Sequence, residues 1–376
     1  MRHRIRYRRI TAPDAVDTGD AYSQTIGLAT YLVKDRARIV TLCPEEELRV
    51  WDADSGSLLT GPFQARPDAC RASFRDDQAR AFINFEVDGE PRLVSSLNID
   101  SLHLWDPEDG RLIQQPILLG NATPGPRFTS LMHVDLPAGP LLAAATEHGE
   151  VHLLDAATGE PTGTCIHADD VRIVTLDTVR TRTGRTLLVV GSADGAIRVW
   201  DVMTGEAFGE TVAAPAGFTA TMPFLTDDGR VAVAVVDQDV ECWEIGSGAP
   251  LRTFSANWNA ALTVLEGVGA ICVTVDSAGR ATLWRLSDGE ELGVVMTEAG
   301  SHLRSAFQAG RHLALNFCER IELWLPSPWR HATTVSPRRP GSASEVTNVL
   351  CLISLPDGRL VLGLEDGWGV VDFSGA

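Results

Sequence analysis

Short stretches in which polar and apolar residues alternate recur along the chain, and each runs into a large apolar anchor. Ile197-Arg198-Val199-Trp200, Leu102-His103-Leu104-Trp105 and Val151-His152-Leu153-Leu154 are three of them. Alternation with period two predicts a β-strand. Upstream of each lies a run that is apolar at nearly every position, such as residues 186–190 or 231–236, as expected of a strand covered on both faces. A tight turn separates the two, Asp194-Gly195 in the best copy, which is hairpin chemistry. A third run (residues 171–176) comes earlier and a weaker fourth (206–212) follows. The pattern predicts a repeated unit of four antiparallel strands.

The anchors open a six-residue phrase that ends in glycine. It reads Trp51-Asp52 to Gly56, Trp105-Asp106 to Gly110, Leu154-Asp155 to Gly159, Trp200-Asp201 to Gly205, Trp243-Glu244 to Gly248 and Trp284-Arg285 to Gly289. Successive anchors are 54, 49, 46, 43 and 41 residues apart. A period in the forties with an aromatic–acid pair predicts a β-propeller. Two worn anchors, Trp324 and Val371, follow at 40 and 47 residues. The expectation is one all-β domain over residues 1–376: eight four-stranded antiparallel blades, with seven as the alternative. Residues 1–12 form the expected closing strand. His3, Ile5 and Tyr7 alternate there with Arg4, Arg6 and Arg8, and the last anchor is followed by no fourth strand. Pairing of the two would close a complete ring and protect its edges.

Residues 166–212 most closely resemble a repeat of the WD40 family. That resemblance implies a structural hydrogen-bond network of His167, Asp194 and Trp200, whose fourth member, a Ser or Thr ten residues before the Trp, is Val190 here. Other units keep fragments: Ser95 with Trp105, Thr274 with Trp284, Asp237 with Trp243. Trp51 and Trp324 complete the set of structural anchors. The resemblance also implies partner contacts on the turn before each third strand, at Asp100, His148, Asp194, Gln238 and Ser277.

Composition narrows the function classes. The formal net charge is −18, which argues against nucleic acid and anionic membranes as partners. Lys34 is the single lysine and lies in no glycine-rich loop, which excludes phosphate-loop, kinase and Schiff-base sites. Seven cysteines are dispersed without a C-x-x-C, the pattern of free thiols in a reducing compartment. No apolar run is long enough to span a membrane, and the basic N-terminus lacks the apolar stretch of a signal peptide. The expectation is a monomeric cytoplasmic protein.

Two irregular segments stand outside the repeat. Residues 326–345 are rich in Pro and Ser and carry Trp329, Arg330, Arg338 and Arg339; residues 63–80 carry Arg66 and Arg71. Both are expected on the face of the fourth-to-first-strand loops, bordering one recognition surface. The five arginines of the first ten residues read as the solvated face of an edge strand. Glu147, His148, Glu150 and His152 fall within six residues. On a hairpin, however, His148 occupies the turn and His152 a strand, in a slot shared with His103, Arg198 and Glu241 that the pattern makes exposed. They lack the common helical face of an H-x-x-x-H site, and no metal or cofactor is expected. No hydrolase, metalloprotease or EF-hand motif is present, so catalytic residues are expected to be none. The chain reads as a non-enzymatic scaffold for protein partners; the alternative is an enzyme or small-ligand binder using the central channel.

Overall fold

The structure, a computed structural model, describes residues 6–10, 27–42, 48–63, 82–98, 101–118, 127–326, 328–337, 348–355, 357–364 and 367–372. Among these, the strands form eight antiparallel sheets, each built from strands consecutive in sequence apart from the last. Blades 1 to 7 span 27–63, 82–118, 128–167, 173–213, 220–254, 260–296 and 305–335. Blade 8 takes Val349–Ser354, Leu360–Leu364 and Gly367–Asp372, then Arg6–Ile10 as its outer strand. Arg6 pairs with Asp372 and Ile10 with Trp368. This is the closure that the N-terminal alternation predicts; residues 1–5, 11 and 12 of that segment lie outside the described residues. The inner strand of blade 1 neighbours those of both blade 2 and blade 8, so the ring of eight is closed.

The repeated phrase builds the turn from third to fourth strand. In blade 1, Asp52 Oδ1 accepts the amides of Asp54 (3.2 Å) and Ser55 (2.7 Å), and the Gly56 amide donates to the Asp52 carbonyl. Asp155 and Asp201 do the same in blades 3 and 4. The closing glycine sits in the left-handed region, with φ of 68° at Gly56 and 72° at Gly159, where a Cβ is penalised. The Ser55 amide is the largest influence on Asp52 and holds its carboxyl below the usual carboxylate range.

The core lies between blades. Val231–Val236 is buried at all six positions, because one face packs on blade 4 and the other on blade 6. The seam where the ring closes is packed in the same way. Ile39, Trp51 and Ala53 of blade 1 meet Val361, Trp368 and Val370 of blade 8. Trp51 and Trp368 make an edge contact at 5.6 Å, and Arg359 pairs with Asp54 across the seam at 2.8 Å.

Three local expectations need correction. Residues 326–345 are not wholly irregular: Arg330–Val335 is the outer strand of blade 7. Trp329 therefore lies in a third-to-fourth-strand turn, on the face opposite the one expected. The slot shared by His103, His152, Arg198 and Glu241 is not exposed; His103 is fully buried and the others half-buried, since that strand face, which also carries the anchor, meets the preceding blade. His167 opens no strand of blade 4 but ends the outer strand of blade 3, paired with Glu150.

Candidate functional site

The turns from second to third strand and the connections between blades share one narrow face of the disc. His148, Asp194, Gln238 and Ser277 all lie there and are exposed. Asp194 accepts the Ala196 amide at 3.1 Å, which shapes its own hairpin. His148 points outward beside Glu147, 3.9 Å away. Gln238 and Ser277 belong to a connected stretch that also contains a residue the sequence did not single out, Trp258.

Trp258 is 63% exposed. It follows Asn257 in the connection from blade 5 to blade 6, and both have positive φ, 48° and 65°. Asn tolerates the left-handed region, but a bulky Trp there is costly, so the surroundings must impose it. The Trp258 amide donates to the Gln238 carbonyl at 2.7 Å, and Asp239 Oδ1 accepts the Ala256 amide at 2.8 Å. Asn259, buried, donates from Nδ2 to the Ser301 carbonyl and accepts the Leu303 amide at 2.6 Å. The Val275 amide donates to the Asn259 carbonyl and the Gly300 amide to that of Ser277. Blades 5, 6 and 7 thus contribute to one rigid ledge from which the indole projects. Asp237, Asp276 and Glu298 lie in its loops.

The other expected contact residues are placed differently. Trp329 donates from Nε1 to the Leu292 carbonyl at 2.9 Å and packs against Gly293, so it joins blade 7 to blade 6. Arg330 is exposed on the outer strand of blade 7. Arg66, Arg71, Asp100, Arg338 and Arg339 lie outside the described residues, as does most of the segment 63–80.

The structural anchors divide by partner. Trp51, Trp105 and Trp284 donate from Nε1 to the hydroxyls of Thr41 (2.9 Å), Ser95 (3.0 Å) and Thr274 (3.2 Å). Nε1 of Trp243 and Trp324 is buried without a partner among the described residues. Trp200 packs among Leu188, Val190 and Val202. His167 is opposite Glu150 in the strand pairing of blade 3; its side chain is 71% exposed and faces Glu150.

On the inner strands, Asp177 of blade 4 is raised to about 6 by burial, while the hydroxyl of Thr221 on blade 5 donates to it and opposes the shift. His133 is stacked on Phe85 at 4.7 Å, and burial lowers its affinity for a proton. These two groups belong to different blades and form no acid–base pair.

On blade 3, Glu150, His152 and Cys165 bring one ligand atom each to within 4.8 Å of one another. Glu150 Oε2 lies 3.2 Å from His152 Nε2, and its Oε1 lies 3.6 Å from His167 Nδ1. Burial, then the Glu150 charge, push the Cys165 thiol up to about 11. Residues of these types can hold a divalent metal. The sequence contained half of this cluster in residues 147–152 but not its cross-strand partners.

No family model matches the chain, and no curated protein matches it. Solved structures do. The chain resembles the computationally designed Ika8 protein at 19% identity, with 94% of this chain and 96% of that chain covered and a TM-score of 0.64. It is similar to BamB from Moraxella catarrhalis at 14% identity, covering 99% and 97%, with a TM-score of 0.58. A chain of the mitotic checkpoint complex matches at 16% identity over 78% and 86%, with a TM-score of 0.53. At these identities the likeness is one of fold, and the fold is an eight-bladed β-propeller.

Proposed function

We propose that the chain is a WD40-type propeller acting as a cytoplasmic, monomeric, non-enzymatic scaffold that docks a protein partner on the face bearing Gln238, Trp258 and Ser277. One observation carries this reading: Trp258 is held out of the core by a hydrogen-bonded ledge that keeps two residues at positive φ. A large indole in water forgoes burial worth roughly 1.5–3 kcal/mol, and exposed Trp is a common binding anchor. The acids at 237 and 276 favour a partner segment with an Arg or Lys, whose cation would lie over the indole; Glu298 is already paired with Arg320. The dispersed thiols, with Cys242 and Cys272 buried and free, support a reducing address.

The test is affinity capture from native lysate with the full chain as bait. The wild type is expected to retain one stoichiometric partner, and Trp258→Ala to lose at least about tenfold in affinity, about 1.4 kcal/mol, with an unchanged melting temperature. Full capture by the variant would remove the reading.

A further inference from the structure

The strand pairing of blade 3 places four metal-ligating residues on one face. Glu150 is opposite His167, and His152 is opposite Cys165. Residues two apart on a strand share a face, and directly opposed pairs have Cβ atoms about 4.5–5.5 Å apart. The four side chains therefore occupy adjoining corners of a small quadrilateral by backbone register alone. Their order, carboxylate and imidazole on one strand, thiol and imidazole on the other, puts every group beside a different donor type.

We propose that Glu150, His152 and Cys165, with His167 as the fourth ligand, bind one Zn²⁺. A tetrahedral zinc site with bonds of roughly 2.0–2.3 Å has ligand atoms about 3.3–3.8 Å apart. Glu150 Oε2 lies 3.2 Å from His152 Nε2, which matches one such edge; His167 Nδ1 lies 3.6 Å from the other carboxylate oxygen, Oε1, so His167 reaches the same ion by side-chain rotation. The remaining separations, at most 4.8 Å among Glu150, His152 and Cys165, close by side-chain rotation. The donor set of one sulfur, two nitrogens and one oxygen suits a borderline-soft d¹⁰ ion and disfavours magnesium or calcium. His167, the most exposed of the four, provides the entry side. On binding, Cys165 releases its proton to solvent as the Zn–S bond forms.

The site lies where the ladder needs support. The register between the third and outer strands shifts between His152 and Leu154, and Gly163 in that stretch has φ of 85°. An ion bound just beyond the bulge would clip the loosened outer strand to the sheet.

The experiment titrates the full chain, purified without a polyhistidine tag and stripped of metal, with Co²⁺ as spectroscopic probe and with Zn²⁺ against a chromophoric chelator. One ion per chain is expected, with visible bands of tetrahedral cobalt and a thiolate charge-transfer band. Cys165→Ser should abolish the charge-transfer band. Both it and His152→Ala should weaken Zn²⁺ by at least about 100-fold, more than the loss of an outer-shell partner costs. His167→Ala should weaken it by about tenfold. Cys318→Ser, in blade 7, should change nothing. Circular dichroism of each stripped variant confirms that the fold is retained. Absence of stoichiometric binding, or a charge-transfer band that survives in Cys165→Ser, would overturn the proposal.

Discussion

Blades 1, 2 and 6 hold the indole N–H of their anchoring tryptophan on a hydroxyl, whereas blades 5 and 7 bury the same N–H without one. The residue opposite the position two before the anchor decides the difference: Thr41, Ser95 and Thr274 in the first group, Val235 and Leu315 in the second. That residue is the diagonal neighbour of the tryptophan on the second strand, close enough for a long side chain to reach. Both kinds of blade adopt the same antiparallel sheet of four strands, the outer one in blade 2 being split into two short pieces. The hydrogen bond is thus an addition to a blade whose stability comes from burial between neighbours; an N–H left unpaired costs about 1–3 kcal/mol, which the apolar packing of blades 5 and 7 absorbs.

Four substitutions probe this contrast, taken from the largest expected effect down. Trp51→Ala removes the hydroxyl-bonded indole and its edge contact with Trp368 at the ring's seam. A loss of about 3–5 kcal/mol is expected, read by chemical denaturation, and a loss below about 1 kcal/mol would mean that the seam packs independently of this anchor. Asp177→Asn extends the contrast to a charge. The folded carboxyl, raised to about 6 from its ordinary 3.8, binds a proton more readily than the unfolded one. Its contribution is full below the ordinary value and is lost as pH rises through about 6. The variant should therefore match the wild type below about pH 4 and exceed it by about 3 kcal/mol near pH 7. Parallel pH–stability curves would refute this.

Thr41→Val leaves the Trp51 N–H without its acceptor at unchanged volume and should cost about 1–2 kcal/mol. The same replacement at a blade lacking the bond is already natural, so a null effect at position 41 would show that the hydroxyl contributes nothing even where it is present. Val235→Thr is the converse: on the diagonal from Trp243 that Thr41 occupies from Trp51, it offers Trp243 Nε1 an acceptor. A gain of about 0.5–1 kcal/mol is expected, the smallest of the four, and a loss would mean that the hydroxyl's own desolvation exceeds the new bond.

The blade count was legible because the anchor phrase performs a local task. Asp52, Asp155 and Asp201 cap their own turns, and the glycine at the end of each phrase takes a conformation other residues avoid, so the requirement falls on consecutive positions. The closing strand was legible for a similar reason, its alternation being local. What failed was set by register or by solvent. His167 reads as part of blade 4 by spacing alone, because its pairing with Glu150 depends on the shifted register of the hairpin with the preceding strand. The Glu150–Cys165 cluster was missed because counting back from the Gly159 turn pairs His152 with Gly163, whereas the shift in the ladder pairs it with Cys165. Trp258 stands in no motif of the sequence; its exposure follows from hydrogen bonds of its loop to Gln238 and Asp239 that no pattern of hydrophobicity records. Trp329 misled in the opposite direction, since it sits in a Pro- and Ser-rich stretch yet seals two blades.

The outer strand of blade 8 comes from residues 6–10, and its partner from residues 367–372. The first of these is synthesised long before the second. Blades 1 to 7 can form as local hairpins while the chain emerges, but Arg6–Ile10 has no place to dock until the whole ring has been made. During that interval it is an unpaired edge, open to strands of other nascent chains. Arg4, Arg6, Arg8 and Arg9 give it a charge that such strands would have to bring together, which is how gatekeeper residues suppress misassembly. The arginine-rich start of the chain is therefore best understood as protection in time: it guards an intermediate that the finished propeller no longer displays.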